Sequence, residues 1–146
     1  FLGILLAVDA LQSAGLLQQS AAFLAKHLPN VYAQGYTIGI LSAIVDNVPL
    51  VAAAIGMYPV LDPAVVSTMS DPVFMQNFVE DGVFWHFLAY CAGVGGSILI
   101  IGSAAGVVFM GLEKVSFGWY LKRISLIALI GYTFGAGAYI LQQAIF

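Results

Sequence analysis

The sequence predicts an all-α, polytopic membrane protein, and two observations indicate this. Of the 146 residues, 62% are hydrophobic and only 8% are charged, whereas a soluble domain carries about 25% charged residues. Such a chain cannot cover its own surface with polar groups, so membrane lipid is an expected partner. The apolar runs are continuous and long enough for helices, and they do not alternate as half-buried strands do.

The opening of the chain favours a piece of a larger polypeptide, with residues 1–146 forming one transmembrane region. Phe1 already lies in an apolar run, and FLGILLAVDALQ lacks the basic flank and cleavage site of a signal peptide. The net charge of −3 gives no reason to expect nucleic acid as a partner. The single cysteine, Cys91, excludes an intrachain disulfide. The sequence contains no Ser-His-Asp, HExxH or CxxC arrangement, so it gives no support for an enzyme, and we expect no cofactor.

The first two predicted helices cover residues 1–11 and 16–28, with a break at the polar and small cluster QSAG (12–15). Asp9 lies within the first of them. Ionisable residues inside a membrane are costly and usually functional, so Asp9 is a candidate residue of a proton path. The alternative is a position near the cytoplasmic interface, where a carboxylate is readily solvated.

Residues 36–61 are predicted to form a re-entrant hairpin. Crossing a hydrocarbon core of about 30 Å takes about 20 helical residues, and crossing it twice takes about 40. This segment has 26 residues, so two arms of about 11 residues each would place its tip near mid-depth. The tip contains Asp46, Asn47 and Pro49. Proline removes one backbone donor and clashes with the preceding turn, so a straight helix is disfavoured there.

The remaining segments are assigned from charge and length. Residues 62–82 carry four acids and two prolines and are predicted to be an extracytoplasmic loop. Residues 113–123 carry three of the four basic residues, which places them in the cytoplasm. Between them, residues 83–112 are predicted to form a broken transmembrane helix, and residues 124–146 a terminal transmembrane helix. Trp119 and Tyr120 are expected to be anchors at the membrane interface.

Asp46 is the centre of the predicted chemistry. A charged, unpaired carboxylate at mid-membrane is unfavourable by several kcal/mol, and all four basic residues map near membrane surfaces. Ser42, Asn47 and a carbonyl freed by Pro49 offer oxygen ligands, which suit alkali cations. Because burial also raises the proton affinity of a carboxylate, Na⁺ and H⁺ would compete for one site. The alternative is that Asp46 only caps the second arm of the hairpin.

A second polar constellation lies in GVGGSILIIGSAAG (93–106). Its glycines make unwinding easy, and we expect residues 93–97 to be unwound. Freed carbonyls together with Ser97 or Ser103 would complete a cation shell, as in other discontinuous helices of carriers. Close helix packing is the alternative for Gly102 and Gly106, and it is the expected role of residues 131–137.

SAIVDNVPLVAAAIGMY (42–58) and CAGVGGSILIIGSAAGVVFMGLEKVSFGWYLK (91–122) resemble the C-terminal half of NhaD-type sodium/proton antiporters. These belong to an ion-transporter superfamily that includes arsenite exporters and sodium/dicarboxylate symporters. The resemblance implies inverted repeats, each with a re-entrant hairpin and a broken helix that meet near mid-membrane, and it implies elevator-like movement and homodimers. The ion site it implies consists of Ser42, Asp46, Asn47, Pro49, Gly95, Gly96, Ser97, Gly102 and Ser103.

The expected function is therefore exchange of Na⁺ (or Li⁺) for H⁺ across the cell inner membrane by a multi-pass carrier. Na⁺ would bind at Asp46 and Asn47 as the transported ion. Only one repeat is present in this chain, so the N-terminal half of the carrier is a required partner. One alternative is an oxyanion or dicarboxylate carrier of the same superfamily, although a carboxylate at the tip repels anions. The other is a non-transporting structural subunit of a membrane complex.

Overall fold

The computed structural model describes residues 2–58 and 60–145, and its regular elements are helices. In chain order the longer helices are α1 (Leu2–Ser13), α2 (Leu16–His27), α3 (Val31–Leu41), α4 (Asn47–Met57), α7 (Val83–Gly95), α8 (Ala104–Glu113), α9 (Phe117–Arg123) and α10 (Ser125–Ile145). Two single-turn helices, α5 (Pro63–Val66) and α6 (Pro72–Met75), and a 3₁₀ turn (Gln76–Phe78) lie between α4 and α7. The predicted all-α class is confirmed.

Local sequence explains where several helices begin. Gly15 adopts a left-handed backbone (φ 72°), which separates α1 from α2 within the QSAG cluster. The Asn30 side chain accepts a hydrogen bond from the Tyr32 amide (2.8 Å) and caps α3. Asp62 and Asp71 cap α5 and α6 in the same way. The polar residues between apolar runs therefore act as helix boundaries.

Two helices, α3 and α7, form the centre of the packing. They pack most extensively against each other, α10 lies against α7 and α9, and α4 lies mainly against α1 and α2. Within the two described ranges, α3 and α4 are not among the pairs that pack extensively, although Ile38 of α3 and Ala54 of α4 belong to the same buried cluster. Each helix has 11 residues, and the break between them covers residues 42–46. The helix–break–helix unit therefore runs from Val31 to Met57 and begins before the predicted hairpin of residues 36–61. Its re-entry into a membrane stays a prediction.

The polar segment 62–82 is folded onto the helices. Phe78 is buried, stacks on Tyr58 with ring centroids 5.2 Å apart, and lies 4.8 Å from the ring of Phe84. The indole nitrogen of Trp85 donates to the Phe78 carbonyl (3.3 Å). The acids and prolines of this segment predicted a loop outside the membrane, and they gave no sign that its aromatic residues complete a core. The side of the membrane on which residues 62–82 lie stays a prediction.

The predicted broken helix over 83–112 corresponds to α7 and α8, but the break lies later than expected. Gly93 and Gly95 are still helical, and the irregular stretch covers residues 96–103. The expectation that unwinding begins at Gly93 is therefore wrong. Glycine only lowers the cost of leaving a helix, and α7 stays helical along its contact with α3 as far as Gly95.

The terminal helix α10 has 21 residues, and among the described residues it is the one helix long and apolar enough to cross a membrane unaided. The helices α4, α7 and α8 are apolar but shorter. Of the glycines expected to pack in α10, only Gly135 does so, against Tyr90. A β-carbon added at Gly131 or Gly137 would have no neighbouring atom within 4 Å.

Replacing Leu88 by alanine should lower the free energy of unfolding by about 2–5 kcal/mol, because it removes a side chain that is 1% exposed in the aromatic core. The matched change Leu112→Ala removes the same atoms from a side chain that is 77% exposed and should cost much less. Thermal unfolding of both variants of the full-length protein in detergent measures the difference. Equal melting temperatures would contradict this core.

Candidate functional site

Two helix breaks meet at one place in the structure. They are residues 42–46, between α3 and α4, and residues 96–103, between α7 and α8. A β-carbon on Gly95 would overlap the Gly39 carbonyl oxygen, and one on Gly102 would overlap the Ser42 carbonyl oxygen. Backbone therefore touches backbone at both ends of the contact, which only glycine permits. The resemblance implied this meeting, and the geometry brings the two segments together.

Ser42 joins the two breaks through its side chain, which is fully buried. Its hydroxyl oxygen lies 2.7 Å from the carbonyl oxygen of Ala92 and 2.5 Å from Oδ1 of Asn47. Ala92 lies in the last turn of α7, where carbonyls have lost their helical partners. A hydroxyl has one proton, so it donates to only one of these two oxygens at a time.

Asn47 lies directly over the second break. A β-carbon on Gly96 would be 3.1 Å from Asn47 Oδ1 and 3.0 Å from the Gly102 carbonyl oxygen. Asn47 is the first residue of α4, at the boundary of the first break. Five of the predicted site residues are thus neighbours in space: Ser42, Asn47, Gly95, Gly96 and Gly102.

Asp46 is the residue just before α4, in an extended conformation (φ −55°, ψ 146°). Its side chain was expected to be buried, but within this chain it is exposed, because it lies just before α4 and outside the packed helices. It also accepts no hydrogen bond from the first amides of α4. Among residues 2–58 and 60–145 it forms no ion pair. The alternative in which Asp46 only caps this helix therefore finds no support in its contacts.

Pro49 lies in the first turn of α4 and not in the break itself. Amides in the first turn of a helix have no helical acceptor, so a proline there costs little. Leu50, the next residue, already donates to the Asp46 carbonyl (3.2 Å). The prediction that Pro49 breaks the helix at the tip is corrected: the chain is interrupted at residues 42–46, before Pro49, which is the third residue of α4.

Three other predicted site residues have different roles in the structure. The Ser97 hydroxyl donates to the Val94 carbonyl (2.7 Å), and its side chain is exposed. Ser103 caps α8, where its hydroxyl accepts from the Gly106 amide (3.4 Å). Asp9 lies exposed on α1. The two serine hydroxyls therefore serve local backbone, which the sequence pattern did not reveal.

The helix ends give the site a distinct electrostatic character. The C-terminal ends of α3 and α7 meet at Gly39, Ser42 and Gly95, and the C-terminal end of a helix carries about half a negative charge. The N-terminal end of α4 carries the opposite partial charge, and Asp46 lies next to it. In the described part of the chain, no group of three or more His, Cys, Asp or Glu side chains is placed to hold a metal ion. The oxygens at the meeting point are instead amide, hydroxyl and carbonyl oxygens, and the carboxylate of Asp46 belongs to the residue directly before Asn47.

Sequence reasoning missed several residues that build this site. Gly39 and Ala92 contribute through their backbones, so no side-chain pattern marks them. Tyr120 was expected at a membrane interface, yet its hydroxyl donates to the Ser97 carbonyl within the second break (2.7 Å). Gly39 lies among apolar residues, and its small size was the one available signal.

Comparison with known proteins gives a consistent set of relatives. The chain is 48% identical over 140 residues to sodium/proton antiporter 1 of Arabidopsis thaliana, covering 96% of the chain and 22% of that protein. For sodium/proton antiporter 2 of the same plant the identity is 45%, with 96% of the chain and 30% of that protein covered. It is 36% identical over 131 residues to the Na⁺/H⁺ antiporter NhaD of Vibrio parahaemolyticus, covering 88% of the chain and 27% of that protein.

The chain thus spans 22% to 30% of the length of these relatives. No protein-family model matches the chain, and no solved structure matches it. The resemblance to NhaD-type antiporters is confirmed over most of the sequence.

Gly95→Ala should disrupt the meeting of the two breaks, because the added methyl group would overlap the Gly39 carbonyl oxygen. The matched control is Gly93→Ala, two residues earlier on α7, where a β-carbon has no neighbour within 4 Å. The control should be neutral or stabilising by up to about 1 kcal/mol, since alanine favours a helix over glycine. Size-exclusion profiles and thermal unfolding of the full-length variants distinguish them. The contact is refuted if Gly95→Ala behaves like the control.

Proposed function

We propose that this chain is the ion-binding region of an NhaD-type sodium/proton antiporter, to whose named members it is homologous over 88% to 96% of its length. In this proposal the full protein exchanges Na⁺ (or Li⁺) for H⁺ across a membrane. The ions bind at the meeting of the two helix breaks. The observation that carries the proposal is the position of Asp46. Its carboxylate forms no ion pair among residues 2–58 and 60–145, and it directly precedes Asn47, whose side chain lies where two interrupted helices touch.

The charges at this place favour a cation. The C-terminal ends of α3 and α7 both contribute negative potential, and broken helices in carriers present such ends to Na⁺. The carboxylate of Asp46 offsets the positive N-terminal end of α4. An oxyanion would meet this carboxylate and two negative helix ends, so the same geometry argues against an anion carrier.

Asn47 supplies a second oxygen when its amide has the appropriate orientation. If the Ser42 hydroxyl donates its one proton to the Ala92 carbonyl, it can only accept a hydrogen bond from Asn47. The amide NH₂ group of Asn47 must then face Ser42. The carbonyl oxygen of Asn47 then turns away from Ser42 and is available to an ion. In this arrangement Ser42 fixes the orientation of Asn47 and is not itself a ligand.

Exchange follows from competition for the carboxylate. Na⁺ binding requires Asp46 to be ionised, and protonation of Asp46 removes the charge that holds Na⁺. One site that takes either ion, but never both, couples their opposite movements when it faces the two sides of the membrane in turn. Asp9 remains our candidate for the path by which protons reach this site.

The remaining parts of the proposal concern the rest of the carrier. Asp46 is exposed in this chain, so the N-terminal half would enclose it and supply further ligands. The segment 36–61 would enter the inner membrane as a hairpin, with residues 62–82 outside and 113–123 in the cytoplasm. Elevator-like movement within a homodimer would then expose the site to either side.

Asp46→Asn should reduce Na⁺-dependent proton exchange to the background level, because asparagine keeps the size of the side chain but cannot bind a proton or carry charge. The measurement is the Na⁺-induced change of a transmembrane pH gradient in everted vesicles that contain the full-length protein. The matched control is Asp81→Asn, the same change at a side chain that is 91% exposed in the 62–82 segment. This control should exchange normally.

Wild-type exchange by Asp46→Asn would exclude Asp46 as the coupling carboxylate. A full-length protein that exchanges neither Na⁺ nor Li⁺, and that tolerates Asp46→Leu without loss of phenotype, would instead support the structural-subunit alternative.

A further inference from the structure

A tyrosine from α9 reaches the second helix break. The hydroxyl of Tyr120 donates to the carbonyl oxygen of Ser97 at 2.7 Å, across 23 positions of sequence. Ser97 lies in the 96–103 break, next to Gly96, against which Asn47 packs. We propose that Tyr120 is a positioning residue that fixes the backbone of this break so that the ion site is preformed; this inference rests on the proposed antiport function.

The contacts of Ser97 show how the break is held. Its amide donates to the Val94 carbonyl (3.0 Å), and its hydroxyl donates to the same oxygen (2.7 Å). Its own carbonyl accepts from Tyr120. The backbone at residues 96–97 is therefore held at two points, by Asn47 over Gly96 and by Tyr120 on Ser97. A peptide held in this way loses little further freedom when an ion binds.

The contact joins the ion site to a helix in the segment that is predicted to lie in the cytoplasm. The helix is capped by Ser116, whose hydroxyl accepts from the Trp119 amide (3.3 Å), and it ends with Lys122 and Arg123. These residues belong to the basic segment predicted to lie in the cytoplasm, and α9 also packs against α10. The Tyr120 hydroxyl therefore connects a surface helix to the peptide beside the ion site.

The hydrogen bond does not depend on pH in the neutral range. Burial raises the pKa of Tyr120 above its ordinary value, so the hydroxyl stays protonated and continues to donate. Removing it should change Na⁺ binding by the same factor at each neutral pH, whereas loss of a titrating group would change the pH profile.

The test is Tyr120→Phe in the full-length protein, which removes only the hydroxyl. Half-saturating Na⁺ for exchange should rise about fivefold, the effect of losing one hydrogen bond that orders the site. The maximal rate and the melting temperature should stay near those of the wild type. The matched control is Tyr139→Phe, because the Tyr139 hydroxyl lies 3.5 Å from its acceptor, the Val83 carbonyl, and makes a much weaker bond. The control should leave half-saturating Na⁺ unchanged.

Each other outcome has a definite meaning. An unchanged half-saturating Na⁺ in Tyr120→Phe, or an equal rise in Tyr139→Phe, would overturn the positioning role. A lower value would also overturn it, since Tyr120 would then compete with the ion for the Ser97 carbonyl. If wild-type protein exchanges Na⁺ and Asp46→Asn does not, a failure of this test leaves the proposed function intact. If wild-type protein does not exchange, the proposed function itself fails.

Discussion

The direct contact between the two helix breaks is the constraint on which the rest of this structure depends. Gly39, Gly95 and Gly102 allow it, because a side chain at any of these positions would occupy space that facing atoms already fill. The approach brings Ser42 to the end of α7 and Asn47 over Gly96. The same contact leaves Asp46 at the beginning of α4, outside the packed interior. Geometry at the backbone level therefore determines which side chains are available for ion chemistry.

A group of tyrosines connects the helices behind this contact. The Tyr132 hydroxyl donates to the Tyr36 carbonyl (2.7 Å), and the Tyr90 hydroxyl donates to the Tyr132 carbonyl (3.1 Å). The Tyr36 hydroxyl is hydrogen-bonded to Thr133 (2.8 Å). Tyr132 is fully buried, and the two bonds that it makes with Tyr36 and Tyr90 are partly buried, whereas the bond between Tyr36 and Thr133 is exposed. Together these bonds link α3, α7 and α10. The three helices consequently have few ways to shift independently.

The sequence predicted the features that follow from composition and local chemistry. Helix class, the QSAG boundary, the grouping of Ser42 with Asn47, and α10 all come from apolar runs and from residues with special backbone preferences. It predicted less well what depends on tertiary contact. Unwinding was expected at Gly93, but α7 stays helical along its contact with α3 as far as Gly95. Pro49 was expected to break the helix, but it lies in the first turn of α4, after the break. The roles of Ala92 and of the Ser97 carbonyl lie in the backbone, which has the same donors and acceptors at nearly every position.

Asp46 lies exposed next to a place of negative potential. The C-terminal ends of α3 and α7 meet there, and adding a carboxylate to two such ends is unfavourable in a low-dielectric interior unless a cation or a proton is present. This region spans 22% to 30% of its relatives' length, and under the proposed function the rest of a carrier would surround it. In that proposal, covering Asp46 and removing water would make the need for a positive ion stronger. The affinity for Na⁺ and H⁺ would then arise only when the remaining sequence encloses the groups contributed by this chain.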